Sequence, residues 1–169
     1  HRSRVRSQAG SAYTSGDLRP NGQPILVDSY IVQSTIDCAG APMNASVIAH
    51  ELGHALGLPD LYHQTNGFLP SQRRWVLGCW SLMAAGSWDC GDGSTHGITE
   101  RPTHMGPWEK AALGWITEEG VGSVRETEFV LEPVQTSGRS LRIPLGGAEY
   151  LQLEYRPRLG FDADLPASG

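Results

Sequence analysis

Residues 50–60 of this 169-residue chain have the sequence HELGHALGLPD, and the interpretation of the rest of the chain depends on them. His50 and His54 are four residues apart, so on a helix their side chains lie one turn apart on the same face. Two imidazoles at this spacing can bind one zinc ion. Glu51, about 100° further around the helix, can reach a metal-bound water as a general base without being a ligand. The alternative is a surface helix that carries two histidines by chance.

The flanking residues predict where this helix begins and ends. Asn44 or Ser46 can cap its first turn, and the helix is expected to run from Val47 to Leu56. Gly57 should end it, and Pro59 prevents it from continuing.

One face of the predicted helix is apolar, and we expect that face to be buried under a sheet, with the two histidines on the side that faces a cleft. The apolar residues are Ile48, Leu52, Ala55 and Leu56. Gly53 lies between the histidines and costs about 1 kcal/mol of helix propensity relative to Ala. This cost indicates that another segment approaches the helix closely at Gly53.

The motif continues through Asp60 as H-E-x-x-H-x-x-G-x-x-D, which resembles the metzincin zinc proteases. The resemblance implies that the chain turns after Gly57 and brings back a third zinc ligand, here Asp60. A carboxylate oxygen is an acceptable zinc ligand and leaves a fourth position for water. Alternatively, Asp60 is only a turn residue, and His63, Asp89 or a more distant acidic residue is the third ligand.

A second segment, Trp80–Trp88 (WSLMAAGSW), is similar to the methionine-bearing turn of metzincins. The resemblance implies that Met83 provides apolar support beneath the histidines without binding the metal. A methionine in a loop can equally be an ordinary core residue.

Several segments in chain order resemble the immune inhibitor A type of secreted metallopeptidases: His50–Tyr62, Trp80–Trp88, Trp108–Ile116 and Glu149–Gly169. This resemblance implies a secreted zinc endopeptidase that acts on protein or peptide substrates, with a propeptide or accessory domains outside this chain. It leaves the stabiliser of the developing oxyanion open between Tyr62 and His104. Tyr62 can instead be a packing residue, and His104 a solvated loop histidine.

The predicted fold class is α+β, with an active-site helix under a sheet, a loop-rich lower lobe with the Met-turn, and a C-terminal β-hairpin region. Residues 1–118 are expected to form the zinc metallopeptidase region, with an incomplete upstream lobe, and residues 119–169 a truncated β-rich extension. The other predicted elements are strands at 25–32, 126–133, 140–145 and 149–156, a helix at 107–114, a hairpin turn at Gly146-Gly147, and loops at 1–24 and 65–103.

Composition excludes some classes of partner. The formal net charge of -5 argues against nucleic acid, and no apolar stretch is long enough to span a membrane. Among three cysteines, Cys79 and Cys90 are the preferred disulfide, which would need an oxidising compartment; fully reduced cysteines are the alternative. A structural calcium ion is also considered, although no oxygen-ligand spacing locates it.

The leading hypothesis is peptide-bond hydrolysis by a zinc-bound water that Glu51 activates. A second hypothesis is a noncatalytic, zinc-stabilised extracellular module for binding or adhesion, although such a site does not need Glu51 as a base. A third is a thermolysin-type hydrolase with a glutamate ligand on a later helix, which Gly57 disfavours because it should end the helix where metzincins turn.

Overall fold

The computed structural model describes residues 13–27, 31, 33–36, 40–43, 45–62, 76–87, 102–122 and 128–167. These residues form a mixed helix and sheet structure, in agreement with the predicted α+β class. Its elements are β1 (Tyr13–Leu18), β2 (Pro24–Val27), α1 (Ala45–Ala55), α2 (Pro107–Ala112), β3 (Thr117–Gly120), α3 (Val134–Ser137), β4 (Arg139–Gly146) and β5 (Glu149–Leu153), with 3-10 turns at Gly78–Trp80 and Gly160–Asp162. Within the described ranges, no helix has the length and apolar character needed to cross a membrane.

An antiparallel hairpin of β1 and β2 lies at the N-terminal end of the described residues. The prediction of a loop over residues 1–24 is therefore wrong for β1. Its polar sequence hides the strand, but pairing with β2 satisfies its backbone groups. Gly22, with φ of 77°, allows the tight turn in which the Arg19 N–H donates to the Gln23 carbonyl at 2.8 Å. The predicted strand at 25–32 is confirmed only as β2; residues 28–30 and 32 lie outside the described residues.

Helix α1 ends as its sequence predicts. Gly57 adopts a φ of 97°, and its N–H donates to the His54 carbonyl at 3.0 Å. The Leu58 N–H donates to the Gly53 carbonyl at 3.0 Å, which completes a Schellman motif. The chain thereby reverses direction immediately after the second histidine.

The start of α1 differs from the expectation. Ser46 lies inside the first turn and is fully buried, so it is not the residue that precedes the helix. The other candidate cap, Asn44, lies outside the described residues.

The prediction that the apolar stripe of α1 is the buried face is wrong. All four stripe residues are exposed, and the buried residues of the helix are Ser46, His50, Glu51 and Gly53. The core against α1 comes from loops, because Leu58, Leu82, Met83 and Met105 form one buried cluster. Gly53 allows Met83 and Met105 to approach the helix backbone, so the histidine face is the one that packs.

The C-terminal sheet has the order β3-β4-β5, with β3 parallel and β5 antiparallel to β4. The predicted β4–β5 hairpin is confirmed, and Gly146 and Gly147 turn it with φ of 121° and 59°. Strand β3 was not predicted. It directly follows α2, whose predicted helix at 107–114 is confirmed with an earlier end.

The predicted strand at 126–133 is wrong for its described part, residues 128–133. Apart from a single bridge between Pro133 and Tyr155, these residues form no ladder, and Val130 is 88% exposed. A short apolar run needs a packed face to become a strand, and no part of the described structure covers Val130. The segment continues instead into α3.

Candidate metal centre

Three predicted ligands meet where α1 ends and the chain turns back. The Asp60 Oδ1 atom lies 3.1 Å from His50 Nε2 and 3.2 Å from His54 Nε2. Ligand atoms at about 2.1 Å from a tetrahedral zinc ion are about 3.4 Å apart, which is close to these separations. Among the residues that the structure describes, this is the only cluster of three side chains able to hold a metal ion. The donor set therefore fits zinc, and no second cluster supports a calcium site there.

Backbone carbonyls orient both imidazoles. His50 Nδ1 lies 2.8 Å from the Leu82 carbonyl oxygen, and His54 Nδ1 lies 2.8 Å from the Leu58 carbonyl oxygen. A carbonyl only accepts, so each Nδ1 is the protonated donor. In the neutral rings this leaves both Nε2 lone pairs available for a metal, with the ring orientation already set.

The electrostatics of the cluster favour a cation. The hydrogen bond to Asp60 raises the pKa of His54 to about 8, against the lowering effect of burial. Burial raises the pKa of Asp60, but hydrogen bonds from His50, His54 and Tyr62 together bring it well below its ordinary value. In the metal-free chain, a protonated His54 therefore donates to an ionised Asp60 at the position where a metal ion could bind.

Tyr62 lies at the edge of this cluster. Its ring stacks on His50 with centroids 6.3 Å apart and an interplanar angle of 19°. Its hydroxyl is hydrogen bonded to Asp60, where it must be the donor to the carboxylate. The rival ligands His63 and Asp89 lie outside the described residues.

Met83 lies beneath the helix, on the side from which the two histidines project. It is fully buried, and its side chain reaches the backbone of Gly53. The Leu61 N–H donates to its carbonyl at 2.8 Å, so the turn also holds the chain that follows Asp60. This position suits the support role predicted for Met83 and accounts for the glycine in α1.

The remaining predicted residues differ in where they lie. Glu51 is on α1, 8% exposed, beside the cluster. The His104 ring packs edge-on against Phe161, 5.8 Å between centroids, and lines an apolar groove of about 650 Å³. Burial lowers the pKa of His104.

Cys79 is disulfide-bonded, and Cys90 lies outside the described residues, so their pairing stays a prediction.

Sequence reasoning missed the residues that fix the methionine turn through hydrogen bonds, Ser81 and Glu109. The Ser81 hydroxyl donates to Glu109 Oε1 at 2.6 Å and accepts the Met83 N–H at 3.0 Å. Glu109 Oε2 accepts the Gly106 N–H at 2.5 Å at the start of α2, and burial raises the pKa of this carboxyl. A glutamate in the first turn of a helix is a recognisable capping signal, but its reach to Ser81 has no local signature.

Comparison with known proteins identifies the family of the chain. The chain is 37% identical over 118 residues to a pre-pro-metalloprotease, PrtV, of Vibrio cholerae serotype O1, in strains M66-2 and ATCC 39315 / El Tor Inaba N16961. The match covers 65% of this chain but only 11% of those relatives. No solved structure matches the chain significantly. The family of the immune inhibitor A peptidase M6 catalytic domain matches residues 1–116, and the chain belongs to this family.

Proposed function

We propose that this chain is the metal-binding part of a secreted zinc endopeptidase. His50, His54 and Asp60 would hold the ion, and Glu51 would act as the general base. The observation that carries the proposal is the convergence of both histidine Nε2 atoms on Asp60 Oδ1 while both Nδ1 atoms are tied to carbonyl oxygens. A surface helix with incidental histidines has no reason to orient both rings in this way.

Each side chain then has a distinct task. Zinc, when bound, supplies a Lewis acid that polarises the substrate carbonyl and lowers the pKa of a water molecule to about 7. Glu51, on the turn of α1 between the two histidines, accepts the proton of the attacking water and later returns it to the leaving amine. Asp60 contributes the negative charge that balances the ion, and Tyr62 holds this carboxylate in place.

The wider context of the activity is also part of the proposal. It includes protein or peptide substrates, export from the cell, and a propeptide or accessory domains outside this chain. The family and the relatives described as pre-pro-metalloproteases support this part of the proposal. The disulfide at Cys79 supports an oxidising compartment.

The test compares the wild-type chain with Glu51→Gln for zinc content and for cleavage of unfolded casein. We expect about one zinc ion per chain in both proteins, cleavage by the wild type alone, and loss of that cleavage with a chelator. Cleavage by Glu51→Gln at the wild-type rate would rule out the proposed mechanism. Zinc in both proteins with cleavage in neither would favour the alternative, a zinc-stabilised binding module.

A further inference from the structure

Arg156 and Asp162 form a buried ion pair that contacts the methionine turn and lies outside the cluster of His50, His54 and Asp60. The Arg156 guanidinium donates from Nε to Asp162 Oδ2 at 2.9 Å and from NH2 to Asp162 Oδ1 at 2.7 Å. Arg156 is 1% exposed and Asp162 is fully buried. Gln135 supports the same carboxylate, because its Nε2 donates to Asp162 Oδ2 at 2.9 Å. A buried charged pair is costly to desolvate and contributes little net stability, so its presence calls for another reason.

The same guanidinium connects two loop segments. Its NH1 donates to the Trp80 carbonyl, and its NH2 donates to the His104 carbonyl at 2.6 Å. Asp162 Oδ1 accepts the His104 N–H at 2.9 Å, so both backbone polar groups of His104 are held by the pair. Arg156 and Asp162 therefore set the spacing between the segments 80–83 and 103–106.

These two segments lead directly to a metal ligand. The Leu82 N–H donates to the His104 carbonyl at 3.3 Å, and the Leu82 carbonyl receives the Nδ1–H of His50 at 2.8 Å. The chain of contacts from Arg156 to the His50 ring thus has two intermediates, His104 and Leu82. Each link is a hydrogen bond to a backbone group, so a displacement of the His104 segment can be passed on to the Leu82 carbonyl that holds His50.

We propose that Arg156, anchored by Asp162, is a positioning residue for His50. The proposal rests on the function proposed above, because it assigns to Arg156 the placement of a zinc ligand. It also extends the functional unit beyond the predicted boundary at residue 118, to a segment predicted as a separate extension.

The chemistry explains why an arginine is required. One planar guanidinium presents donors in two directions, so it can bind a carboxylate through two atoms and still reach two carbonyls. A lysine keeps the charge but is a point donor on a flexible stem and cannot make all four contacts. Arg156→Lys is therefore a conservative change that tests the geometry and keeps the charge.

The experiment uses the full chain and compares Arg156→Lys with the wild type. Arg158→Lys is the matched control, because Arg158 is two residues away and exposed. We expect Arg156→Lys to keep its helix content by circular dichroism but to bind zinc about 10- to 100-fold more weakly. With Co²⁺ at saturation, its visible absorption spectrum should shift, which a change in folding stability alone would not cause. Arg158→Lys should match the wild type in both measurements.

A folded Arg156→Lys with wild-type zinc affinity and an unchanged Co²⁺ spectrum would overturn the proposal. If Arg156→Lys does not fold, Asp162→Asn replaces it, since that change keeps the shape of the side chain and an acceptor for His104. A spectral shift in folded Asp162→Asn would support the proposal; an unchanged spectrum, or failure of both variants to fold, would reduce the pair to a structural role. These results do not depend on casein cleavage, so a wild type that binds metal without proteolysis would contradict only the proposed function.

Discussion

The Met83 side chain packs directly on the backbone of Gly53, which lies between His50 and His54 in the sequence of α1. A Cβ atom built on Gly53 would overlap Met83 Sδ and would lie 3.1 Å from Met83 Cε and 3.4 Å from Met105 Cε. Met83 is fully buried, so it has little freedom to move aside. The absence of a side chain at Gly53 is therefore what allows the methionine turn to support the helix.

We predict that Gly53→Ala lowers the free energy of unfolding by about 1–3 kcal/mol, the usual cost of overpacking a core. This loss should appear although Ala is favoured over Gly in a helix by about 1 kcal/mol. Urea denaturation of the metal-free chain measures the difference. The control is Gly16→Ala in β1, where an added Cβ meets nothing within 4 Å and the effect should stay within about 0.5 kcal/mol. A Gly53→Ala chain as stable as the wild type would show that Met83 can relocate freely.

The pKa of His54 gives a second prediction, for the metal-free chain. His54 should titrate near pH 8, since its hydrogen bond to Asp60 is the largest cause of the shift. In Asp60→Asn the largest raising cause is lost while burial still lowers the pKa, so the pKa of His54 should fall clearly below 8. Proton NMR titration measures both values, with His54→Gln to assign the resonance. An unchanged pKa in Asp60→Asn would refute the pairing.

The same shift predicts how stability depends on pH. The folded chain holds the His54 proton more tightly than the unfolded chain, so protonation of His54 stabilises the fold. This stabilisation is complete below about pH 6.5 and is lost as the pH rises through about 8. The lowered pKa of Asp60 acts in the opposite sense, and its contribution is lost as the pH falls below about 3.8. The urea midpoint of the metal-free wild type should therefore exceed that of Asp60→Asn more at pH 6 than at pH 9. An equal difference at both pH values would contradict the linkage.

The cluster of His50, His54 and Asp60 could be predicted from sequence because its geometry is local. His50 and His54 are related by one helical turn, and Gly57 reverses the chain within a few residues, so the local chain itself returns Asp60 to them. The more distant contacts, such as the Leu82 carbonyl at His50, orient groups that the local chain has already brought together. The β4–β5 hairpin was predictable for the same reason, since two adjacent glycines supply its turn. In both cases a few neighbouring residues bring the interacting groups together.

The buried face of α1 could not be predicted in this way. Its apolar stripe is the more hydrophobic face, yet Met83 and Met105 pack on the glycine face, and both are distant in sequence. Arg156 is a stronger case, because its partners Trp80 and His104 are 76 and 52 residues away. Nothing in the local sequence marks a residue that reaches two distant segments through their backbone carbonyls.

Replacing Tyr62 separates two possible roles of its hydroxyl. Tyr62→Phe keeps the stack on His50 but removes the hydrogen bond to Asp60. If the hydroxyl orients the ligand, zinc affinity should fall about 10-fold or more. Competition with a chelating dye measures this affinity. The hydrogen bond between Tyr62 and Asp60 favours this result. A kcat about 100-fold lower with unchanged zinc affinity would instead indicate that the Tyr62 hydroxyl donates to the oxyanion.

Two buried serines of the methionine turn provide the last prediction. Ser81→Ala removes the hydrogen bonds that the Ser81 hydroxyl donates to Glu109 Oε1 and accepts from the Met83 N–H, and a buried group left unsatisfied costs about 1–3 kcal/mol. Ser87 is equally buried, but among the described residues its hydroxyl has no hydrogen-bond partner. Ser87→Ala should therefore be neutral or slightly stabilising, while Ser81→Ala should lower the free energy of unfolding by at least about 1 kcal/mol. Urea denaturation measures the free energy of unfolding of both variants. Equal values would mean that the hydrogen bond between Ser81 and Glu109 of α2 contributes nothing to stability.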